Sequence, residues 1–233
     1  MTAPHARTAV ITGAGGSVGS AVVEACVADG FDVHAVFRRA PAATAAGVTA
    51  HAADLEDDDE LGALIASLAA VSHMSLLVHA AGAYERAALA DTGDAALARL
   101  LRVNVQAPHT LTRGLLPALR AGGANVVFVN SSVAVRAGEP DISAYAASRH
   151  AQRSLADSLR SEENAHGVRV TSLFLGRTAG PLQERIHADE GRRYEPQRLV
   201  QPQDVAQVVL GLASLPATSE ITELQLRPRL RPA

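Results

Sequence analysis

Short apolar runs and longer amphipathic stretches alternate along most of the chain. The apolar runs are rich in Val, Ile and Leu and lack a polar face, which is typical of strands buried on both sides. They predict strands over 8–11, 32–37, 48–51, 75–79, 125–129, 168–174 and 223–226. The stretches between them carry apolar residues three and four positions apart. They predict helices over 18–29, 57–70, about 93–120, 143–164 and 203–212.

Strands that alternate with helices predict an α/β fold. Parallel neighbours need crossover connections, and right-handed helical crossovers cover both faces of the sheet. We therefore expect a doubly wound parallel sheet of about seven strands with helices on both faces. Because 233 residues are enough for one full core, we expect a single domain over 1–233.

One segment, about 176–201, departs from this regular pattern. It is polar, rich in arginine and poorly periodic. Such a segment serves either as a mobile lid over a binding site or as a plain surface insertion. The sequence leaves both interpretations open.

Composition narrows the classes of partner and compartment. The net charge is −3, and no basic face that would bind nucleic acid is indicated. All 21 basic residues are arginine, which excludes a lysine Schiff base. The single Cys26 cannot form an internal disulfide, and no apolar stretch is long enough to span a bilayer. We expect a cytoplasmic protein with no membrane partner and, since the histidines lack metal-ligand spacing, no metal.

A glycine-rich loop lies at the first junction between a strand and a helix. It reads Thr-Gly-Ala-Gly-Gly-Ser-Val-Gly over 12–19. Glycines there let backbone amides approach phosphates, and the start of a helix favours negative charge. A simple turn is the alternative, but the position at the first β–α junction favours dinucleotide binding. Gly13, Ser17, Val18 and Gly19 are the candidate contacts.

Polar residues around the fifth predicted strand and the helix after it suit carbonyl chemistry. Ser132 closes that strand, and Tyr145 and Arg149 lie four positions apart on one face of the helix. A tyrosine hydroxyl can supply a proton, a nearby cation favours its phenolate form, and a serine can stabilise the substrate oxygen. A half-buried aromatic and a capping serine are the structural alternatives.

Together these motifs resemble the short-chain dehydrogenase/reductase family. The loop resembles the family's Thr-Gly-x-x-x-Gly-x-Gly pattern, with Ser17 in place of the middle glycine. The second set resembles its Ser…Tyr-x-x-x-Lys arrangement, with Arg149 in place of lysine, and Asn104 resembles the family's helix asparagine. The resemblance implies a Rossmann-like fold, a small-molecule carbonyl or alcohol substrate, and a homodimer or homotetramer built on the two long helices.

The resemblance also implies roles for further residues. Asn104 would order a water chain that returns the proton, and Asp54 with Leu55 would contact the adenine. Ala81, Gly82, Gly176 and Thr178 would line the cofactor. Leu175 and Gly180 stand where the family has a proline and a threonine, so Thr178 is the candidate for the nicotinamide contact.

The end of the second strand indicates which dinucleotide binds. It reads Phe37-Arg38-Arg39, with no acid to hold the ribose hydroxyls of NAD. Arg38 first, and Arg39 second, would pair with the 2′-phosphate of NADP. Two solvated arginines are the alternative. We expect NADP(H) rather than NAD.

Three functions follow from these features. The first is an NADPH-dependent oxidoreductase with Tyr145 as the acid/base. The second is another reaction on the same fold, such as dehydration, epimerisation or isomerisation, because Arg149 cannot pass on a proton as lysine does. The third is a non-catalytic NADP-binding protein, against which the pairing of Ser132 with Tyr145 argues.

Overall fold

The computed structural model describes residues 7–136 and 138–230. Its strands are Thr8–Thr12 (β1), Asp32–Phe37 (β2), Val48–Ala52 (β3), Leu76–His79 (β4), Asn125–Ser131 (β5), Arg169–Leu175 (β6) and Glu223–Leu226 (β7). Its α-helices are Ser17–Ala28 (α1), Asp58–Ser67 (α2), Asp94–Leu101 (α3), Ala107–Gly122 (α4), Ser143–Glu163 (α5), Pro181–Asp189 (α6) and Pro202–Ala213 (α7). Within these residues, no helix is both long enough and apolar enough to cross a membrane.

The strands form one sheet in the order β3-β2-β1-β4-β5-β6-β7, and every neighbouring pair is parallel. This confirms the predicted doubly wound sheet with helices on both faces. The order of strands reverses between β1 and β4. At such a switch point the loops after the two strands diverge and leave a crevice at their carboxyl ends, where α/β folds bind ligands.

Two apolar layers hold the helices to the sheet. On one face α1 and α7 pack together, with Cys26 and Val205 fully buried. Burial raises the pKa of the Cys26 thiol to about 12, which suits a core residue rather than a reactive one. On the other face Leu64 of α2, Leu115 of α4 and Ala156 of α5 cover the sheet. Burial on both faces explains why the strands are apolar throughout.

The long helix predicted over 93–120 is divided. A π-helical turn, Arg102–Gln106, separates α3 from α4 and contains Asn104. The Asn104 side chain accepts from the backbone N–H of Ala83 at 2.8 Å and donates to its carbonyl at 3.0 Å. Such turns are common at functional sites. The apolar spacing could not predict this one, because its partner lies 21 residues away.

The irregular segment 176–201 contains helix α6, which the sequence analysis missed. Pro181 occupies the first turn, where a missing N–H is harmless, and Ile186 and His187 are buried. A backbone bridge between Thr178 and Val200 closes the base of the segment. The segment is therefore a folded insertion that contains a helix. That it opens and closes as a lid remains a prediction.

Candidate active site

A cavity of about 430 Å³ opens at the carboxyl ends of the central strands. Many of the residues predicted from sequence line it: Ser17, Val18, Gly19, Gly82, Ser132, Tyr145, Arg149, Gly176 and Thr178. They come from the start of α1, the loops after β4, β5 and β6, and the first turns of α5. The fold thus places the candidate dinucleotide loop and the candidate catalytic set around one space.

The glycine loop is held by contacts between backbones. Gly13 has a φ of +69°, and a Cβ there would lie 2.6 Å from the backbone nitrogen of Ala81. A Cβ on Gly19 would lie 2.1 Å from the carbonyl oxygen of Gly13. These two glycines are required because the loop packs against the chain after β4 and against the first turn of α1. Gly13 and Ala81 therefore support the cavity from behind rather than line it.

The start of α1 fits the pyrophosphate of a dinucleotide. Gly16 is the N-cap residue, and no side chain caps this helix end. The first amides of the helix therefore lack the side-chain acceptors that usually satisfy them. Ser17, Val18 and Gly19 carry these amides and line the cavity. An anion placed there would meet N–H donors and the positive end of the helix dipole.

Two departures from the family pattern lie against each other. A Cβ on Gly180 would lie only 2.3 Å from Oγ of Ser17. The Ser17 hydroxyl therefore occupies space that a side chain at position 180 would need. Gly180 leaves room for this conformation of Ser17, and its φ of +150° independently favours glycine at that position.

The residues predicted to choose and hold the adenosine part lie outside the lining of this cavity. Arg38 and Arg39 are exposed just after β2, and Asp54 and Leu55 follow β3. The two strand ends are adjacent, since the N–H of Ala53 donates to the Phe37 carbonyl at 2.8 Å. Asp54 also forms a local turn, because its Oδ1 accepts from the N–H of Glu56 at 3.0 Å.

Ser132 and Tyr145 face the cavity from two elements. Ser132 begins a short 3₁₀ turn, and its Oγ accepts from Arg136 at 3.1 Å. Tyr145 is 9% exposed and lies in the first turn of α5. The ring of Tyr145 packs edge-to-face against the ring of Tyr84, with 4.9 Å between the two centroids. The guanidinium carbon of Arg149 lies 5.2 Å from the ring centroid of Tyr145.

The Arg149 side chain is buried beside Tyr145 and is 8% exposed. Its Nη1 donates to Oε1 of Gln152 at 3.0 Å and to the Val129 carbonyl at 3.4 Å. Its Nη2 lies so close to Gly82 that a Cβ there would be 2.4 Å away. The guanidinium thus fills the space between α5 and the loop after β4.

Asn104 lies behind the cavity rather than in it. Its side chain is fully buried and, besides the bonds to Ala83, donates to Oγ of Ser148 at 2.9 Å. Asn104 therefore ties the π-helical turn to the loop after β4 and to α5. The structure does not bring its side chain into the lining with Ser132 and Tyr145.

Sequence analysis missed an ionic cluster at the rim of the cavity. The half-buried carboxylate of Glu190 accepts from Arg177 at 2.8 and 2.9 Å and from Arg86 at 3.0 Å. Burial by itself raises the pKa of Glu190, but the hydrogen bond and charge of Arg177, with the charge of Arg86, outweigh it and lower the pKa. The cluster joins the loops after β4 and β6 to the end of α6.

Among the residues that the structure describes, no three His, Cys, Asp or Glu side chains gather as metal ligands would.

Comparison with known sequences gives one consistent result. A family model described as short chain dehydrogenase matches residues 7–191. An L-fucose dehydrogenase of Mus musculus is 29% identical over 233 residues, which cover 92% of this chain and 84% of the mouse protein. An uncharacterised oxidoreductase of Mycobacterium tuberculosis is 32% identical over 231 residues, which cover 96% of this chain and 91% of that protein.

Solved structures with the same architecture include complexes with NADP. A protein of Beutenbergia cavernae, provisionally named an NAD(P)-dependent gluconate 5-dehydrogenase, holds NADP at low occupancy. It superposes with a TM-score of 0.81 at 28% identity, over 94% of both chains. A metagenomic short-chain oxidoreductase in complex with NADP has a TM-score of 0.78 at 26% identity, over 96% of this chain and 98% of that one.

Proposed function

The chain belongs to the short-chain dehydrogenase family, and on that premise we propose that it transfers hydride between NADP(H) and a carbonyl or alcohol of a small molecule. One observation carries the proposal. Ser132, Tyr145 and Arg149 line the same cavity as the uncapped start of α1. A proton donor, an oxygen-stabilising donor and a dinucleotide site thus share one space, as carbonyl reduction requires.

The cofactor would lie along the carboxyl ends of the strands. The amides of Ser17, Val18 and Gly19 would bind the pyrophosphate, and Arg38, assisted by Arg39, would pair with the 2′-phosphate. Asp54 and Leu55 would contact the adenine. Gly82 would line the cofactor, and Gly176 and Thr178 would lie along its nicotinamide end. When bound, the cofactor supplies or accepts the hydride.

Tyr145 would donate a proton to the substrate oxygen during reduction and remove one during oxidation. The guanidinium of Arg149 would place a positive charge beside the ring, since its carbon lies 5.2 Å from the ring centroid of Tyr145. Ser132 would donate a hydrogen bond to the same substrate oxygen as negative charge develops there. Because Oγ of Ser132 already accepts from Arg136, its own hydrogen is free for that bond.

Arg149 would act as a fixed cation and not as a proton carrier. Arginine keeps its proton in proteins, so a relay through this side chain is not available. Proton exchange with solvent would then pass directly through water at the open end of the cavity. Water that enters the cavity would therefore have to supply the proton that Tyr145 donates.

A direct spectrophotometric assay tests the proposal. The purified chain is mixed with NADPH and a panel of aldehydes and ketones, and in parallel with NADP and the corresponding alcohols, while absorbance at the nicotinamide band is followed. We expect turnover of at least one substrate pair and a lower KM for NADPH than for NADH. Tight NADPH binding without turnover of any substrate would instead support the non-catalytic alternative.

A second candidate, dehydration, epimerisation or isomerisation on the same fold, is favoured by the buried arginine at position 149. Arg149→Lys distinguishes the two. A rise in carbonyl reduction in the lysine variant would indicate a reductase limited by proton supply. An unchanged or lower reductase rate, with product isomers detected by chromatography, would favour the second candidate.

A further inference from the structure

We propose that Gln152 is a positioning residue of this site, which holds the guanidinium of Arg149 at the angle that the cofactor and Tyr145 require. The proposal rests on the proposed function. It concerns a residue that sequence analysis did not single out. Gln152 lies on α5 one turn after Arg149 and is 0% exposed.

Of the two polar atoms in the Gln152 side chain, only one forms a hydrogen bond in the described residues. Its Oε1 accepts from Nη1 of Arg149 at 3.0 Å. Its Nε2 is buried and has no hydrogen-bond partner in the part of the chain that the structure describes. A buried amide with an unpaired N–H is destabilising, and an apolar side chain of equal length would fill the same space without that cost. An apolar side chain would, however, also leave Nη1 of the buried guanidinium without its closer acceptor, so the bond of Oε1, and not a bond of Nε2, accounts for a glutamine here.

The bond to Gln152 determines how Arg149 faces the cavity. A guanidinium is a rigid planar fork, so fixing Nη1 also fixes the directions of Nη2 and Nε. Nη2 then lies against Gly82, and the ring of Tyr145 lies beside the guanidinium carbon at 5.2 Å from its centroid. The other acceptor of Nη1, the Val129 carbonyl, is more distant at 3.4 Å. Gln152 is thus the closer of the two anchors.

Nε of Arg149 has no protein partner in the described residues, but it is buried and is not presented to a ligand. The Arg149 side chain nevertheless lines the cavity, so the orientation that Gln152 gives to the guanidinium is the one that a bound cofactor would meet. Gln152 would fix this orientation before the cofactor binds. This consequence can be measured as cofactor affinity, without reference to any substrate.

Gln152→Met tests the proposal, because methionine has a similar length and no acceptor of comparable strength. We expect the dissociation constant for NADPH to rise about tenfold, the loss typical of a hydrogen bond to a charged group. We expect kcat to fall by a similar factor while KM for the carbonyl substrate changes less than about twofold. The melting temperature does not decide the question, because the variant removes one unpaired amide from the core and at the same time leaves Nη1 of the buried guanidinium with the more distant Val129 carbonyl.

Four further proteins complete the experiment. Gln152→Glu keeps the acceptor oxygen and should retain NADPH affinity within about threefold of the parent. Arg153→Met breaks a bond on the same helix, to Glu223 at 2.7 Å, and should leave NADPH affinity unchanged. In an Arg149→Met background, Gln152→Met should have no further effect on NADPH affinity, since the two residues act through one contact.

A purely structural Gln152 predicts the opposite pattern. Gln152→Met would then lower the melting temperature while NADPH affinity and kcat stayed at parental values, and that result would overturn the proposal. An equal loss of affinity on Gln152→Met in the parent and in the Arg149→Met background would do the same. A parent protein that binds NADPH but reduces no carbonyl would refute the proposed function, while the affinity series would still decide the role of Gln152.

Discussion

The dinucleotide loop and the start of α5 border the same cavity but are built on different physical terms. In the loop, Gly13 and Gly19 are required by contacts between backbones, and the proposed donors for a ligand are main-chain amides. On α5, the proposed chemistry belongs to the buried side chains of Tyr145, Arg149 and Gln152. The loop therefore depends on the absence of side chains, whereas α5 depends on particular polar atoms.

The two regions also accommodate Ser17 and Arg149 differently, the two residues that the sequence analysis expects to depart from the family pattern. Gly180 has no side chain and leaves room for Ser17 in the loop. Arg149 on α5 is accepted because Gly82 leaves room for Nη2 and Gln152 supplies an acceptor for Nη1. Ser17 thus needs only the space beside Gly180, whereas the charged Arg149 needs both the space beside Gly82 and a hydrogen bond to Gln152.

The largest effect is expected from a side chain in the loop. In Gly19→Ala, the added Cβ would lie 2.1 Å from the Gly13 carbonyl oxygen, a backbone atom that cannot turn away. We expect loss of NADPH binding and about 3 kcal/mol of stability, measured by cofactor fluorescence and thermal unfolding. Gly15→Ala is the control, because its Cβ would meet only Phe37 at an ordinary 3.6 Å. Equal behaviour of the two variants would contradict the backbone-packing account.

On α5, removing one oxygen atom should abolish most activity and leave the fold intact. We expect Tyr145→Phe to lower kcat about 10²- to 10⁴-fold, the usual contribution of a general acid, with unchanged melting temperature and NADPH affinity. Tyr84→Phe is the matched control, since Tyr84 packs on the Tyr145 ring and also lines the cavity. A similar kcat loss in both variants would mean that the ring pair, and not the Tyr145 hydroxyl, matters.

Substitution of Arg38 tests whether a side chain near the proposed adenosine end contributes to cofactor binding. We expect Arg38→Gln to weaken NADPH binding about 10- to 100-fold while NADH binding changes little, because only NADPH has a 2′-phosphate. Arg113→Gln removes another exposed arginine, on α4, and should change neither affinity. If Arg38→Gln weakened NADPH and NADH equally, the residue would not select between the cofactors.

The smallest effect concerns His79, at the end of β4 between the two regions. Burial lowers the pKa of His79 from 6.5 to about 3, and its Nε2 lies 2.8 Å from Oγ1 of Thr112. The unfolded chain binds a proton near pH 6.5 and the folded one does not. The stability due to neutral His79 is therefore complete above pH 6.5 and is lost as the pH falls toward 3, at up to about 1.4 kcal/mol per pH unit.

Urea unfolding at pH 7.5 and pH 5.5 measures this loss. We expect the parent to lose about 1 kcal/mol more than His79→Gln between these two pH values. The other histidines are the same in both proteins, so the difference isolates position 79. Identical losses in the two proteins would show that His79 does not contribute to the pH dependence of folding.

Local spacing made much of this molecule predictable. The strands could be identified from continuous apolar runs, and Ser132, Tyr145 and Arg149 from their separation around one strand and one helix. Helix α6 was missed because Leu182 is exposed and only a few of its positions, such as Ile186, are buried, so little apolar periodicity remains. The ionic cluster at the rim was missed because Arg86 and Glu190 are 104 residues apart.

The sequence by itself determined the parallel sheet, the position of the glycine loop and the residue types around the cavity, because these depend on burial and on neighbours along the chain. Only the tertiary structure decided that Asn104 lies behind the cavity, that Ser17 packs against Gly180, and that Gln152 anchors Arg149. The physical reason is that each of these contacts requires atoms within a few ångströms of one another. Even where two residues share a helix, as Arg149 and Gln152 do, the surrounding elements determine which rotamers can meet.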